Sequence, residues 1–248
     1  MNTKLAGLSA VVLGLVAAAA PAAAQLAATP VYFSPKQPTG LTVALDFGTT
    51  LSAKADGVSS TTKPNDLSGR VALGLPFITL GAGVGLYNTD VPGADKEIQF
   101  MGSGALKLFS PPLVPVGVSL QAGAGYLKIG SGVGSAKVIS LPIGVGVAVK
   151  PTTPGMSVEA WGAPRIQFDA WSVAGSSRAQ AGFGASGGVN LGMPMGLGLH
   201  IAADYSKLSA KASAGTGSLR LPERQTLVFG LGLHYTFTIP GLPIVPVI

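Results

Sequence analysis

Residues 226–237 read TLVFGLGLHYTF and decide the fold. Every second residue from Leu227 to Phe237 is apolar, and the residues between them are small or polar except for Val228. Because successive side chains of a β-strand point to opposite faces, the stretch predicts a strand with one apolar face and one small, polar face. A helix cannot satisfy this period of two. The length also suits a tilted strand that crosses a bilayer, which needs about 9–11 residues.

The end of this stretch resembles the C-terminal signal strand of bacterial outer-membrane β-barrels. In that family an apolar alternation closes with an aromatic residue, two positions after another aromatic residue. Gly232, Tyr235 and Phe237 match this pattern, whereas Gly230 stands where a polar residue is usual and the chain continues over residues 238–248. The resemblance implies a membrane-insertion signal at Gly232, Tyr235 and Phe237, and the barrel-assembly machinery as a partner.

The beginning of the chain has the layout of a secretory signal peptide. Lys4 provides a positive start, residues 5–20 are apolar, and three alanines form a small-residue cleavage site before Gln25. The apolar run is short for a membrane anchor. The sequence therefore predicts export through a cleaved signal peptide over residues 1–24, followed by a proline-spaced lead-in over residues 25–40.

The composition excludes several classes of protein. Only 10% of the residues are charged and 47% are hydrophobic, whereas the surface of a soluble domain typically carries about 25–35% charged residues. After the signal peptide no apolar run reaches the length of a transmembrane helix. Since only helices and closed barrels satisfy every backbone group in lipid, a barrel is the remaining membrane structure. The absence of cysteine excludes disulfides and thiolate chemistry.

Alternating runs recur along residues 41–237 and predict an all-β fold. We expect an up-and-down antiparallel transmembrane β-barrel of about ten strands in the cell outer membrane, with eight as the alternative count. Connections after the even-numbered runs are short and contain proline, and those after the odd-numbered runs are mostly longer and polar. Short periplasmic turns and long outer loops are typical of outer-membrane barrels. The predicted strands are residues 41–51, 67–75, 78–87, 97–109, 114–127, 138–149, 156–168, 180–191, 196–208 and 225–237, with an apolar tail over residues 238–248.

A secreted or periplasmic β-sandwich that binds a partner through its loops is the alternative. It would also alternate, with its apolar face turned inward. The faces opposite the apolar ones consist mostly of glycine, alanine and scattered polar residues, for example over residues 114–127 and 196–208. A water-facing exterior would carry more threonine, lysine and glutamate. The small polar face therefore favours the lining of a membrane barrel.

Several charged and polar residues fall on the predicted inner face. Asp46 and Arg70 lie on neighbouring strands and can pair, as charges in a narrow lumen should. Two interpretations stay open: a charged constriction that selects a small solute, and a polar plug that keeps the barrel shut. The predicted lumen-lining or gating residues are Asp46, Arg70, Lys107, Glu159, Arg165, His200, Asp204 and His234, with Gln99 and Gln121 also facing inward.

The two histidines are the only candidates for metal binding or catalysis. His200 and His234 lie on adjacent predicted strands and can be neighbours, but no third ligand follows at a readable spacing. We therefore expect no metal and no cofactor. Both histidines fall near the periplasmic end, and no predicted outer loop places a carboxylate pair beside one. The sequence predicts a protein that is not an enzyme, with a structural or porin-like role in binding or passing a small solute.

The predicted long loops and strand ends carry the remaining signals. The loops span residues 52–66, 88–96, 128–137, 169–179 and 209–224, and their modest cationic excess suits lipopolysaccharide phosphates, although an ordinary solvated loop is the simpler interpretation. Dispersed charges exclude nucleic acid as a partner and leave outer-membrane lipid. Pro142 and Pro164 fall inside predicted strands, where we expect bulges or, as the alternative for Pro142, a sixth strand that begins after it. Aromatic residues near strand ends predict membrane-interface girdles: Tyr87, Phe109, Tyr126, Phe168, Tyr205, Tyr235 and Phe237.

Overall fold

The computed structural model of the protein describes residues 27–30, 34–35, 39–110, 114–131, 135–151, 153–211 and 220–239. The predicted signal peptide and most of the predicted tail lie outside these residues. Among the described residues, no helix is long and apolar enough to cross a membrane. The described part of the chain forms ten long strands: β1 (Gly40–Ala55), β2 (Asn65–Gly74), β3 (Ile78–Asn88), β4 (Glu97–Phe109), β5 (Val116–Ile129), β6 (Ala136–Val149), β7 (Ser157–Val173), β8 (Ser176–Gly192), β9 (Leu197–Leu208) and β10 (Arg224–Phe237).

The strands form one antiparallel sheet that closes on itself. Each strand pairs with its neighbour in the sequence, and β10 returns to β1, with pairs from Leu41 and Phe237 to Ala55 and Arg224. A two-residue strand, Val58–Ser59, pairs with the end of β1. The predicted up-and-down barrel is confirmed with ten strands. The sandwich alternative is wrong, because a sandwich needs two sheets with free edges and closure leaves none here.

The alternation in the sequence places the apolar residues outside. In β1, Leu41, Val43, Leu45 and Phe47 are exposed, whereas Asp46 between them has no exposed surface. The other strands repeat this arrangement, with aliphatic and aromatic side chains outward and small or polar ones inward. An apolar exterior around a closed, fully hydrogen-bonded sheet is the arrangement that hydrocarbon requires.

The two ends of the barrel differ. We call the end with Gly40, Phe237 and the connections after β2, β4, β6 and β8 the turn end, and the opposite end the loop end.

One predicted long loop at the loop end, residues 169–179, is wrong. There β7 and β8 run on to a two-residue turn at Ala174 and Gly175, whose φ angles of 47° and 82° are those of a primed hairpin turn.

The reason for this error is visible on β7. Asp169, Trp171 and Val173 continue the inward face, while Ala170 and Ser172 point outward. The outward face near this end of the strand therefore carries small residues, so the apolar-out signal fades before the strand ends.

The two strand prolines produce no change of register. β6 and β7 pair Gly144 with Arg165 and, three residues further, Val147 with Gly162, so the sum of the paired numbers stays constant across Pro164. The pairing of β5 with β6 likewise keeps its register across Pro142. The expected bulges at these prolines are therefore wrong, and register shifts occur at Thr50/Ser52 and at Lys107/Phe109 instead. The alternative start after Pro142 is also wrong, because β6 begins at Ala136.

An apolar cluster fills the lumen at the loop end. Tyr87, predicted as a girdle residue, is wholly buried in this cluster because its side chain points inward from the end of β3. The other predicted girdle aromatics are exposed on the outside. The members of this loop-end cluster are Ala27, Ala28, Tyr87, Leu127, Ile129, Ala136, Val138, Trp171, Val173 and Leu221.

Candidate functional site

A chain of four polar side chains crosses the lumen near the turn end. The Asp46 carboxylate on β1 forms an ion pair with Arg70 on β2, whose Nη2 lies 3.3 Å from Asp46 Oδ1. His200 Nε2 on β9 lies 2.6 Å from the same oxygen. His200 Nδ1 lies 3.1 Å from Nδ1 of His234 on β10, and the two rings stack with their centroids 5.4 Å apart. We call these four residues the constriction.

The carboxylate orients the two histidine rings. His200 Nε2 can donate to Asp46, and its Nδ1 contacts His234 Nδ1, where one ring nitrogen donates and the other accepts. Asp46 therefore holds Arg70 and His200 directly and His234 through His200. The sequence predicted the Asp46–Arg70 pairing and the proximity of the histidines, but the link between the two pairs comes from the closure of β10 onto β1.

Glycines on the inner face make room for the constriction. A Cβ at Gly232 would lie 2.7 Å from Leu45 O and 2.5 Å from His200 Nε2, and a Cβ at Gly198 would lie 2.5 Å from the His234 ring. Contacts this short force a neighbour to move. Gly232, singled out by sequence as part of an insertion signal, thus also lies directly against the constriction.

A second ion pair lies further along the lumen. Arg165 on β7 donates from both terminal nitrogens to Asp204 on β9, with distances of 2.8 Å for each bond. Ser186 on β8 accepts from Arg165 at 2.8 Å and donates to Asp204. The structure brings together these two residues, which the sequence placed on the inner face without assigning them to each other. Ser186 was missed, although it lies on the inward side of β8 between them.

A third ion pair joins the loop end of β7 to the start of β10. Arg224 lies 2.6 Å from Asp169, which also accepts from Gln167 at 3.0 Å, and the Arg224 guanidinium sits 4.5 Å from the centroid of Trp171. The sequence assigned Asp169, Arg224 and Asp66 to solvated loops, and this is wrong because all three are buried in the lumen. The inward spacing of β7, which runs through residues 165, 167 and 169, is the signal that identifies Asp169.

The two remaining predicted residues lie near the turn end, apart from these ion pairs. Lys107 on β4 donates to Leu75 O at 3.0 Å and so reaches the turn after β2. Glu159 on β7 accepts from Ser34 and lies 3.5 Å from Asn190 Nδ2.

A cavity of about 580 Å³ opens beside the constriction at the turn end. We call it the vestibule. Its polar lining includes Arg70, Lys150, Glu159, Asn190, His200 and His234.

Part of the lead-in lies inside the barrel. Ala27 donates from its backbone N–H to Gln99 Oε1 at 2.6 Å and accepts from Gln99 Nε2 at 3.1 Å. Thr29 donates to Asp66 Oδ2 at 2.6 Å, and Ser34 donates to Glu159. The inner wall thus binds backbone and side-chain groups of the lead-in. Nothing in the sequence indicated these contacts, because the lead-in is aperiodic and spaced by prolines.

The loop end carries exposed ion pairs outside the lumen. Arg220 lies 2.7 Å from Asp56, and Lys207 lies 3.2 Å from Glu223. Hydrogen bonds from Gln225 and Lys207 lower the pKa of the Glu223 carboxyl. Within the part of the chain that the structure describes, no group of three or more histidine and carboxylate side chains is arranged to hold a metal ion; the absence of a metal and a cofactor stays a prediction.

Comparison with known proteins identifies the architecture. No protein-family model matches the chain, and no curated protein sequence matches it. Among solved structures, the β domain of the Bordetella autotransporter BrkA aligns with a TM-score of 0.51 and 10% identity over 80% of this chain and all of that one. The outer membrane protease OmpT of Escherichia coli aligns with a TM-score of 0.44 and 10% identity over 82% and 100% of the two chains. The Pseudomonas aeruginosa outer membrane protein OprG aligns with a TM-score of 0.35 and 11% identity over 84% and 100%.

The BrkA β domain, the one of these three with a TM-score above 0.5, shares the fold that the barrel itself shows. A closed ten-stranded sheet with an apolar exterior and polar side chains inside is the fold of bacterial outer-membrane β-barrels, and the protein has this fold. At these identities the likeness concerns the fold alone, so the role of the lumen has to be argued from its own side chains.

Proposed function

We propose that the protein is a porin-like barrel whose narrow, glycine-lined lumen binds a small anionic solute in the vestibule. The observation that supports this proposal is the cavity of about 580 Å³ beside the constriction. Sites for small molecules typically measure roughly 300–1,000 Å³ and present a few convergent polar groups. The vestibule has this size, and its position at the turn end would open it to the periplasm.

The charges of the lining favour an anion. Among the described residues that line the vestibule, Arg70 and Lys150 are cationic and Glu159 is the one carboxylate, so cations exceed acids by one. Arginine is suited to binding a carboxylate or phosphate through two parallel hydrogen bonds. Asp46 orients Arg70 from behind, because it holds the guanidinium without itself lining the cavity.

Passage of the proposed solute itself beyond the vestibule would require the constriction to change partners. Arg70, Asp46, His200 and His234 are joined across the lumen, and the Arg165–Asp204 pair lies beyond them. A barrel of this strand number is narrow enough to be filled by its own side chains. In this proposal the constriction selects and gates, Lys107 and Glu159 complete the turn-end lining, and resting conductance is low.

The fluorescence of Trp161 provides a test of solute binding. Trp161 donates from Nε1 to Asn190 at 3.3 Å, and Asn190 lines the vestibule. The chain has two tryptophans, so a Trp171→Phe variant leaves Trp161 as the single reporter. We expect a saturable emission change with acetate, and none with methylammonium or glycerol.

Lys150 lines the vestibule but does not belong to the constriction, so a variant at this position tests the role of positive charge in binding. Lys150→Gln should weaken acetate binding on the order of tenfold, because a charge-assisted bond is lost. Lys54→Gln, at an exposed position on the loop end of β1, should change nothing. A response to methylammonium equal to that to acetate, or no saturable response at all, would contradict the proposal.

A purely structural role is the second candidate. The observation that favours it is the filling of the lumen by three ion pairs and the loop-end cluster. Under this role acetate would produce no saturable change in the same experiment. Neither proposal assigns a catalytic role to Asp46 or His200, whose contacts with Arg70 and His234 form the constriction.

The partners follow from the exterior. We propose that lipid covers the apolar outer face and that lipopolysaccharide phosphates meet exposed cations at the loop end, such as Arg220. We also propose that the barrel-assembly machinery binds the end of β10, where Tyr235 and Phe237 are exposed.

A further inference from the structure

The lumen wall contains a binding surface that neither the vestibule nor the constriction explains. Residues 27–30 and 34–35 lie against the inner face of the barrel, and Ala27, Ala28, Thr29 and Ser34 are buried there. A lumen built only to admit a solute would not need to hold a segment of its own chain.

The wall recognises the backbone of this segment. The Gln99 side chain, itself 1% exposed, pairs with both the N–H and the C=O of Ala27, as a neighbouring strand would. Its amide also donates to Asp66 Oδ1 at 2.6 Å, and Asp66 accepts from Thr29. Gln99 and Asp66 thus form one network that fixes the segment from β4 and β2.

The shape of the wall matches the segment as well. A Cβ at Gly48 on β1 would lie 2.8 Å from Thr29 Cα, and a Cβ at Gly146 on β6 would lie 2.8 Å from Pro35 Cγ. The two glycines belong to different strands and accommodate different parts of the segment. Glycine at these positions allows the backbone of one chain region to approach another closely.

The contacts are distributed along the length of the lumen. Ala27 and Ala28 belong to the loop-end cluster, together with Trp171 and Leu221. Ser34 lines the vestibule at the turn end and contacts Glu159. The segment therefore has contacts at both ends of the lumen, where it occupies the space that an aqueous path would need.

We infer that residues 27–30 and 34–35 act as an internal plug, and that their displacement from the lumen converts the closed barrel into a conducting one. The lumen wall is its receptor: Gln99 and Asp66 bind it near the loop end, Glu159 binds it near the turn end, and Gly48 and Gly146 leave room for it. This inference concerns the path through the barrel and is independent of the solute that the vestibule binds.

Two variants displace the plug by different means. In the first, residues 27–35 are deleted; in the second, Gly48→Val introduces a side chain where Ala28 and Thr29 lie, with the chain otherwise complete. The matched control is Gly102→Val on β4, where an added Cβ meets nothing within 4 Å. Folding of each protein is checked first by its heat-modifiable migration on a gel.

Planar-bilayer conductance and Trp171 fluorescence are then measured in a Trp161→Phe background. We expect both plug variants to show open-channel conductance roughly tenfold or more above that of the parent, since water replaces packed groups in the lumen. The emission of Trp171, which shares a cluster with Ala27 and Ala28, should shift to longer wavelength. The Gly102→Val control should match the parent in both measurements.

The inference is overturned if the parent conducts as well as the variants, or if folded plug variants stay closed. Should the deletion fail to fold, the complete chain with Gly48→Val decides alone. Acetate titration of Trp161, done separately in the Trp171→Phe background, distinguishes this result from the proposed function. Vestibule binding can fail while the plug still controls conductance, and plug control can fail while the vestibule still binds acetate.

Discussion

At the scale of single residues, Arg165 and Asp204 show how the barrel holds charge in its interior. Their side chains are 4% and 2% exposed, and two parallel bonds of 2.8 Å join them, with Ser186 contacting both. Burying two charges is costly, and attraction offsets the cost only when the geometry is good. Loss of one partner should therefore be worse than loss of both.

Asp204→Ala is predicted to lower the free energy of unfolding by about 3–5 kcal/mol, because Arg165 is left charged and buried without its carboxylate. The double variant Arg165→Met/Asp204→Ala should lose less than the single one. Urea-induced unfolding in detergent, followed by tryptophan emission, measures both. As a control, Lys207→Gln breaks the half-exposed pair with Glu223 and should cost about 0–1 kcal/mol. Equal losses for Asp204→Ala and Lys207→Gln would refute the argument.

At the scale of elements, β10 both closes the barrel and carries the predicted insertion signal. It pairs with β9 on one side and with β1 on the other. At its turn end the exposed rings of Tyr235 and Phe237 meet edge to face, with centroids 4.6 Å apart. Aromatic residues at this level of a barrel favour the membrane interface, and the role of Gly232, Tyr235 and Phe237 in insertion stays a prediction.

Phe237→Ala is predicted to reduce the fraction of newly made protein that reaches the folded form several-fold, because the terminal aromatic of the signal is lost. The comparison is Phe229→Ala, which removes an outward aromatic ring from the same face of β10 at mid-strand. Pulse labelling, with heat-modifiable protein counted over time, distinguishes slower assembly from lower stability. Equal assembly rates for the two variants would exclude a special role for Phe237.

At the scale of the whole molecule, closure and an apolar exterior act together. The sheet has no free edge among the ten strands, and its outer face is apolar on every strand. We expect detergent to bind this exterior without opening the sheet, so that the folded barrel stays compact in detergent until it is heated.

The unheated protein is therefore predicted to migrate faster on a gel than the boiled protein, and to be found in the sarkosyl-insoluble membrane fraction. A double variant with Leu45→Pro and Leu231→Pro removes ladder donors at the β1–β10 seam and should lose the fast-migrating form. A parent protein that is soluble without detergent and shows no mobility shift would contradict the membrane barrel.

The sequence predicted the strands correctly but failed at one connection between them at the loop end. The alternation identified all ten strands and the inward position of residues such as Asp46 and Arg165, because a strand turns alternate side chains to opposite faces. It failed at residues 169–179, where small residues replace apolar ones on the outward face of the strand. Asp169 was consequently assigned to solvent. Arg224 was assigned to the loop of residues 209–224 because the last strand was predicted to start one residue later, although the two side chains form a buried pair.

The class of fold could be predicted from the sequence, since a period of two with an apolar outer face has one stable arrangement in lipid. The contacts between inward residues could not, because they depend on how the sheet closes. His200 reaches Asp46 because β10 closes onto β1, and this contact joins positions that are 154 residues apart. The tertiary structure also decided that residues 27–30 and 34–35 lie in the lumen. That stretch has no period of its own, and its place depends on glycines and polar side chains that distant strands present.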